Sequence, residues 1–132
     1  MNIRIINGTY SIIIGIFMMI MWASLLSTGQ VNELSKAPLK IIYHLFAEFL
    51  TAALLIIGGY GLIKVHQWGF KLWLIAMGML FYTVIVSAGY YADLNDMSMV
   101  IMFTMLQIAT LMIIGLSFLK RKELHKNIEW IN

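Results

Sequence analysis

Apolar residues run through this chain in four long blocks, and the polar residues collect between them. The blocks are about Tyr10–Thr28, Ile41–Ile63, Phe70–Tyr91 and Met97–Leu119. Each is near the ~20 residues that a helix needs to cross a ~30 Å hydrocarbon layer. The runs are continuous and do not alternate with a period of two, so they predict helices and not barrel strands. The breaks between them are short. Short breaks favour antiparallel neighbours, which predicts an all-α fold: four transmembrane helices in an up-down-up-down bundle. The whole of 1–132 is expected to be one such domain, with no separate soluble part. Ser35 is expected to cap the second helix, with Pro38 in its first turn, where a missing N–H does no harm.

The first block has to be weighed against a secretory leader. Arg4 supplies a weakly basic start, but the apolar run exceeds a usual leader core, and Ser24–Gly29 offers no clean small-x-small cleavage site. Retention as a span is the expectation.

Composition narrows the function classes. The chain is 61% hydrophobic and 11% charged, against about 25% charged for an average soluble domain. Its formal net charge of +3 comes from few residues and needs no nucleic-acid partner; basic loops at a bilayer surface suffice. There are no cysteines, so disulfides, thiolate metal sites and redox dithiols are excluded. Lys and Arg divide unevenly between the two sides. Arg4, Lys64, Lys71, Lys120, Arg121, Lys122 and Lys126 fall on the side of the termini, and only Lys36 and Lys40 on the other. The expected location is the cell (inner or plasma) membrane, multi-pass, with both termini cytoplasmic. Trp68, Trp73, Tyr90 and Tyr91 stand at block ends as expected interfacial anchors, and Trp130 lies in the tail. The tail reads as a stop signal that can also meet anionic headgroups.

One carboxylate breaks the apolar pattern. Glu48 lies within the second block, with His44 one turn before it. An acidic group at that depth costs on the order of 2.5–3.5 kcal/mol on insertion scales, so it is tolerated mainly where it meets a polar cavity, a ligand or other helices. His44, Glu48, Thr51 and Leu55 share one helical face. Aligning the block midpoints puts Trp22, Thr83, Ser87, Thr104 and Gln107 near the level of Glu48, with Tyr82 slightly deeper. Gly78, Tyr82, Gly89 and Asp93 form a stripe on the third helix that is expected to turn towards the same place. The candidate ligand-binding or proton-carrying set is therefore Glu48, His44, Tyr82, Gln107, Thr104, Ser87 and Trp22. The competing structural reading makes Glu48 a hydrogen-bonding brace between helices.

Other chemistries fit less well. His44 and Glu48 could share one ion, but no other block supplies a carboxylate, so the ligand count for a metal site fails. Eleven methionines suit Cu(I) in principle, although flexible apolar filling explains them equally. His66 and His125 lie outside the blocks, which leaves no bis-His haem within one chain. No cofactor is implied, and no nucleophile–base–acid set is visible, so an enzyme is not the expected class. Gly58, Gly59 and Gly61, and Ala88 with Ala92, read as close helix-packing positions.

The stretch AEFLTAALLIIGGYGLIKVHQWGFKLWLIAMGMLFYT (Ala47–Thr83) resembles the central hairpin of DoxX-like small membrane proteins. These carry a Glu early in the second span, a Leu/Ile-rich run, a glycine-rich end and a short basic turn. The resemblance covers about a third of the chain. It implies a four-helix bundle and an accessory role near quinone-linked redox systems, and it carries over Glu48 alone. Three functions stand open on this reading. One is a pocket opening outward around Glu48 that binds a quinone- or lipid-like ligand, or an accessory subunit of a membrane redox system. The second is a proton-coupled transporter working as a homodimer. The third is a structural or assembly subunit without a ligand. The expected partners are the lipid bilayer, a small amphipathic ligand, and a second copy or a larger membrane complex.

Overall fold

The computed structural model describes residues 2–29, 31 and 38–120. They form helices α1 (Ile3–Ser27), α2 (Pro38–Ile63), α3 (Gly69–Asp93) and α4 (Met97–Leu119), with no strand among the described residues. All four are long and apolar enough to cross a membrane. Consecutive helices pack on one another in antiparallel order, and α1 and α4 touch only sparingly. The proximal end of the bundle is where α1 starts, α2 turns into α3 and α4 stops. The distal end is where α1 stops, α2 starts and α3 turns into α4. The Ser35 cap and Trp130 lie outside the described residues; Pro38 is the first residue of α2.

α1 starts at Ile3, seven residues before the apolar block does. Asn2 caps it by accepting the Arg4 N–H. Polar residues in the extra turns and at the start of the block meet neighbouring helices. Asn7 donates to Ser117 Oγ on α4, the Tyr10 and Thr110 hydroxyls meet at 2.9 Å, and Ser11 donates to the Leu55 carbonyl on α2 at 2.8 Å. Hydropathy ranks this segment low, whereas tertiary hydrogen bonding rewards it.

Glycines set the helix spacing. A side chain at Gly59 would meet the Gly8 carbonyl and one at Gly8 the Gly59 carbonyl, so α1 and α2 lie backbone to backbone. Gly58 faces the Trp73 backbone, and Gly61 lies against Gly69, which seats α3 on the next face of α2. Close backbone approach of this kind is what small residues permit between apolar helices. The other anticipated small pair contributes less: Ala88 is half-buried and Ala92 exposed.

The core runs along the α3 stripe Trp73, Ala76, Met77, Leu80 and Val84. Trp73 is therefore not an interfacial anchor. It is 0% exposed and stacks on Phe70 with ring centroids 5.8 Å apart, because Gly58 leaves room for it. All four residues of the anticipated stripe, Gly78, Tyr82, Gly89 and Asp93, are exposed, and of them only Asp93 borders the space beside His44.

The two tight turns share one device. His66 N–H donates to the Gly61 carbonyl and Val65 N–H to that of Leu62. Asp96 and Asn95 do the same to Tyr91 and Ala92. Both are Schellman closures with a left-handed residue after the helix. Asn95 at φ 57° suits that role, whereas Val65 at φ 61° is a β-branched residue in a conformation it disfavours.

Candidate functional site

The site begins with the face of α2 that the sequence singled out. Glu48, Thr51 and Leu55 are buried there, and His44 is half-buried one turn towards the distal end. Thr51 turns its hydroxyl back to the Ala47 carbonyl, so it is satisfied within its own helix. Glu48 is 4% exposed and has no carbonyl to meet. Its Oε2 accepts from Trp22 Nε1 on α1 at 3.2 Å. Its Oε1 lies 3.9 Å from His44 Nε2, beyond hydrogen-bond distance. Oε1 is buried and has no hydrogen-bond partner among the described residues. The Trp22 and His44 rings meet edge-on with centroids 5.6 Å apart. Three side chains thus form a unit in which one carboxyl oxygen is held and the other is buried without a partner among the described residues.

Beside this unit lie two adjoining cavities. The inner one, about 320 Å³, lies between α1, α3 and α4, with Glu48 at its distal margin; Met18, Leu80, Val84 and Phe103 form much of its wall. The vestibule, about 500 Å³, lies at the distal end among Trp22, Lys40, His44, Tyr90, Tyr91 and Asp93. Met21, Ser87 and Phe103 line both. Glu48 borders the first cavity and His44 the second, so the pair stands in the partition. The inner cavity is almost wholly apolar apart from Glu48, Thr83 and Ser87. The vestibule carries both signs of charge, from Lys40 and Asp93.

The seven expected site residues divide. Glu48, His44 and Trp22 come together, and Ser87 lines the space beside them. Tyr82 does not join them: it is 69% exposed on the outer surface of the bundle. Thr104 is exposed and donates to the Val100 carbonyl of its own helix. Gln107 is half-buried and borders neither cavity. Tyr82 on α3 and Thr104 on α4 thus lie on outward sides of their helices. Lys40, Tyr90 and Tyr91 enter the vestibule without being in the expected set, and Asp93 enters it as the one member of the expected α3 stripe that does. Their signal was available in their position at the distal helix ends. Among the described residues, no group of three metal-ligating side chains comes together.

The arrangement defines a small apolar four-helix bundle built around a buried, half-satisfied acidic group. The chain belongs to the DUF8058 family, a domain of unknown function, which matches residues 1–130. No curated protein matches the chain, and no solved structure does.

Proposed function

We propose that this chain is an integral protein of the cell membrane, with both termini cytoplasmic, whose Glu48 pocket binds a small amphipathic molecule of quinone-like or lipid-like form. On this reading it acts as a binding or accessory component and not as an enzyme. The observation that carries the proposal is Glu48 Oε1. A buried polar atom without a partner is costly, and this one belongs to a side chain that lines a cavity adjoining a polar vestibule. A pure brace between α1 and α2 accounts for Oε2 and Trp22 but leaves Oε1 unexplained. A ligand group hydrogen-bonded to Oε1 would remove that cost. Apolar cavities with a few convergent polar groups are the usual form of small-molecule sites.

The excess of Lys and Arg on the proximal side supports the orientation, which makes the vestibule open to the outer face. The DoxX-like pattern of Ala47–Thr83 supports the accessory role. Native mass spectrometry of the protein released from mild detergent tests the reading. Wild type should retain an amphipathic molecule that Glu48→Leu loses. Equal retention of the same bulk lipids by both would refute it.

A further inference from the structure

We infer that the Glu48 site takes a single-chain amphiphile with a hydroxyl head, whose chain lies in the seam between α1 and α4 and reaches it from the lipid phase. This rests on the reading of the pocket as a binding site and adds the ligand's form and route.

The seam is closed at one end only. α1 and α4 are tied by Asn7 to Ser117 and by Tyr10 to Thr110, both in the proximal half. The inner cavity starts one turn above the second tie, at Ile13 and Ile14 on α1 and Leu106 on α4. It continues to Met21, one residue from Trp22. Eight residues of helix span about 12 Å, so the cavity is a slot whose lower end lies one turn above the Tyr10–Thr110 pair, with Glu48 near its top. Ile13 and Phe17 border the slot and are both more than half exposed on the bundle surface. The slot therefore has a side opening between α1 and α4, along the face that meets hydrocarbon if the helices span the bilayer.

The walls choose the tail and the carboxyl chooses the head. A slot of about 320 Å³ is at the small end of ligand sites and suits one chain. A hydroxyl both donates and accepts, so it satisfies Oε1 whether Glu48 is ionised or protonated. An anionic head would oppose the carboxylate. A cationic head would meet Lys40 and His44 on the vestibule side and would have to be desolvated in an apolar slot. Ser87, at the junction of the two cavities, offers a second hydroxyl at the same level.

Photolabelling of the full chain in detergent tests this, with a long-chain alcohol carrying a mid-chain diazirine as the probe. The labelled residues are mapped by mass spectrometry. Labelling at Ile13, Phe17, Met102 or Leu106 should saturate and fall several-fold with excess dodecanol. Dodecyl methyl ether, dodecylamine and laurate should compete several-fold less well. Leu106→Trp, which fills the slot, should lower the saturable labelling; the competition on wild type gives the answer independently of how that variant folds. Slot labelling that dodecanol leaves unchanged overturns the inference. Equal competition by the ether or the amine overturns the choice of head. Saturable labelling confined to His44, Tyr90 and Tyr91 overturns the seam and leaves the pocket as a binding site. Absence of saturable labelling, with a different molecule retained in native mass spectrometry, overturns this inference alone. Absence of both overturns the pocket reading as well.

Discussion

Trp22 on α1 donates its indole N–H to one oxygen of Glu48 on α2, and the other oxygen of the same carboxyl is buried without a hydrogen-bond partner among the described residues. The two oxygens therefore differ, one holding helices together and one left unpaired. Replacing the residue separates them. Glu48→Gln keeps an acceptor for Trp22 and should melt close to wild type. Glu48→Leu loses that bond, worth about 0.6–2 kcal/mol, but also removes a buried unpaired oxygen that costs about 1–3 kcal/mol. We expect thermal melting in detergent to show the Leu variant as stable as wild type or more so, with ligand retention lost. A Leu variant destabilised by about 2 kcal/mol beside a normal Gln variant would make Glu48 a brace only.

The tie below the slot is open to a double-mutant cycle. Tyr10→Phe and Thr110→Val each remove one hydroxyl from the 2.9 Å contact between α1 and α4. The pair should show a coupling of about 0.5–1.7 kcal/mol, on the scale of hydrogen bonds between membrane helices. Additive losses would mean that the hydroxyls do not hold the seam.

The glycines make opposite predictions according to what surrounds them. Gly59→Ala would push a methyl into the Gly8 carbonyl and should cost about 1–3 kcal/mol through overpacking. Gly78 has open space where its side chain would go. Gly78→Ala should be neutral or stabilising by about 0.5–1 kcal/mol, the helix-interior difference between the two residues. Melting temperatures of the two variants check this, and similar effects from both would contradict the packing described.

Val65 offers a gain. It occupies a left-handed position that closes α2, where a β-branched side chain is strained and glycine is not. Val65→Gly should raise stability by about 1 kcal/mol, the scale of the left-handed penalty. A fall of that size in a denaturation experiment would show that the Val65 side chain contributes packing that outweighs its backbone.

Orientation is checked by accessibility. With no native cysteine, single cysteines at Ser35 and Asn95 should react with an impermeant reagent on intact cells, and one at Asn127 should not. The reverse pattern would place the vestibule on the cytoplasmic face.

Several of these features could be read from the residues, for definite physical reasons. The number, order and antiparallel arrangement of the helices follow from run length and short breaks. The buried face of α2 was legible because Glu48 and Thr51 are polar marks on an apolar helix. α3 and α4 are apolar nearly all round, so periodicity did not say which side faces in. Thr104 looked like a pocket hydroxyl, but a helical threonine can satisfy itself on the carbonyl four residues back, and this one does. Asn7 and Ser11 were missed because hydropathy penalises them as single residues. Only the fold shows that each meets a partner on a neighbouring helix.

The glycines of α2 have a consequence at a distance. Gly59 fits α1 and Gly58 and Gly61 fit α3, so α2 is keyed on two sides and cannot turn about its own axis without a collision of backbones. One residue's worth of rotation is about 100°, enough to swing a carboxyl from the interior to the outside. Glu48 lies some three turns away along the same rigid rod, and its bearing is set by that keyway as much as by Trp22. Drift at Gly58 or Gly59 would re-aim the acidic group without touching any residue of the pocket. Variants that lose binding yet carry an intact site would be sought there first.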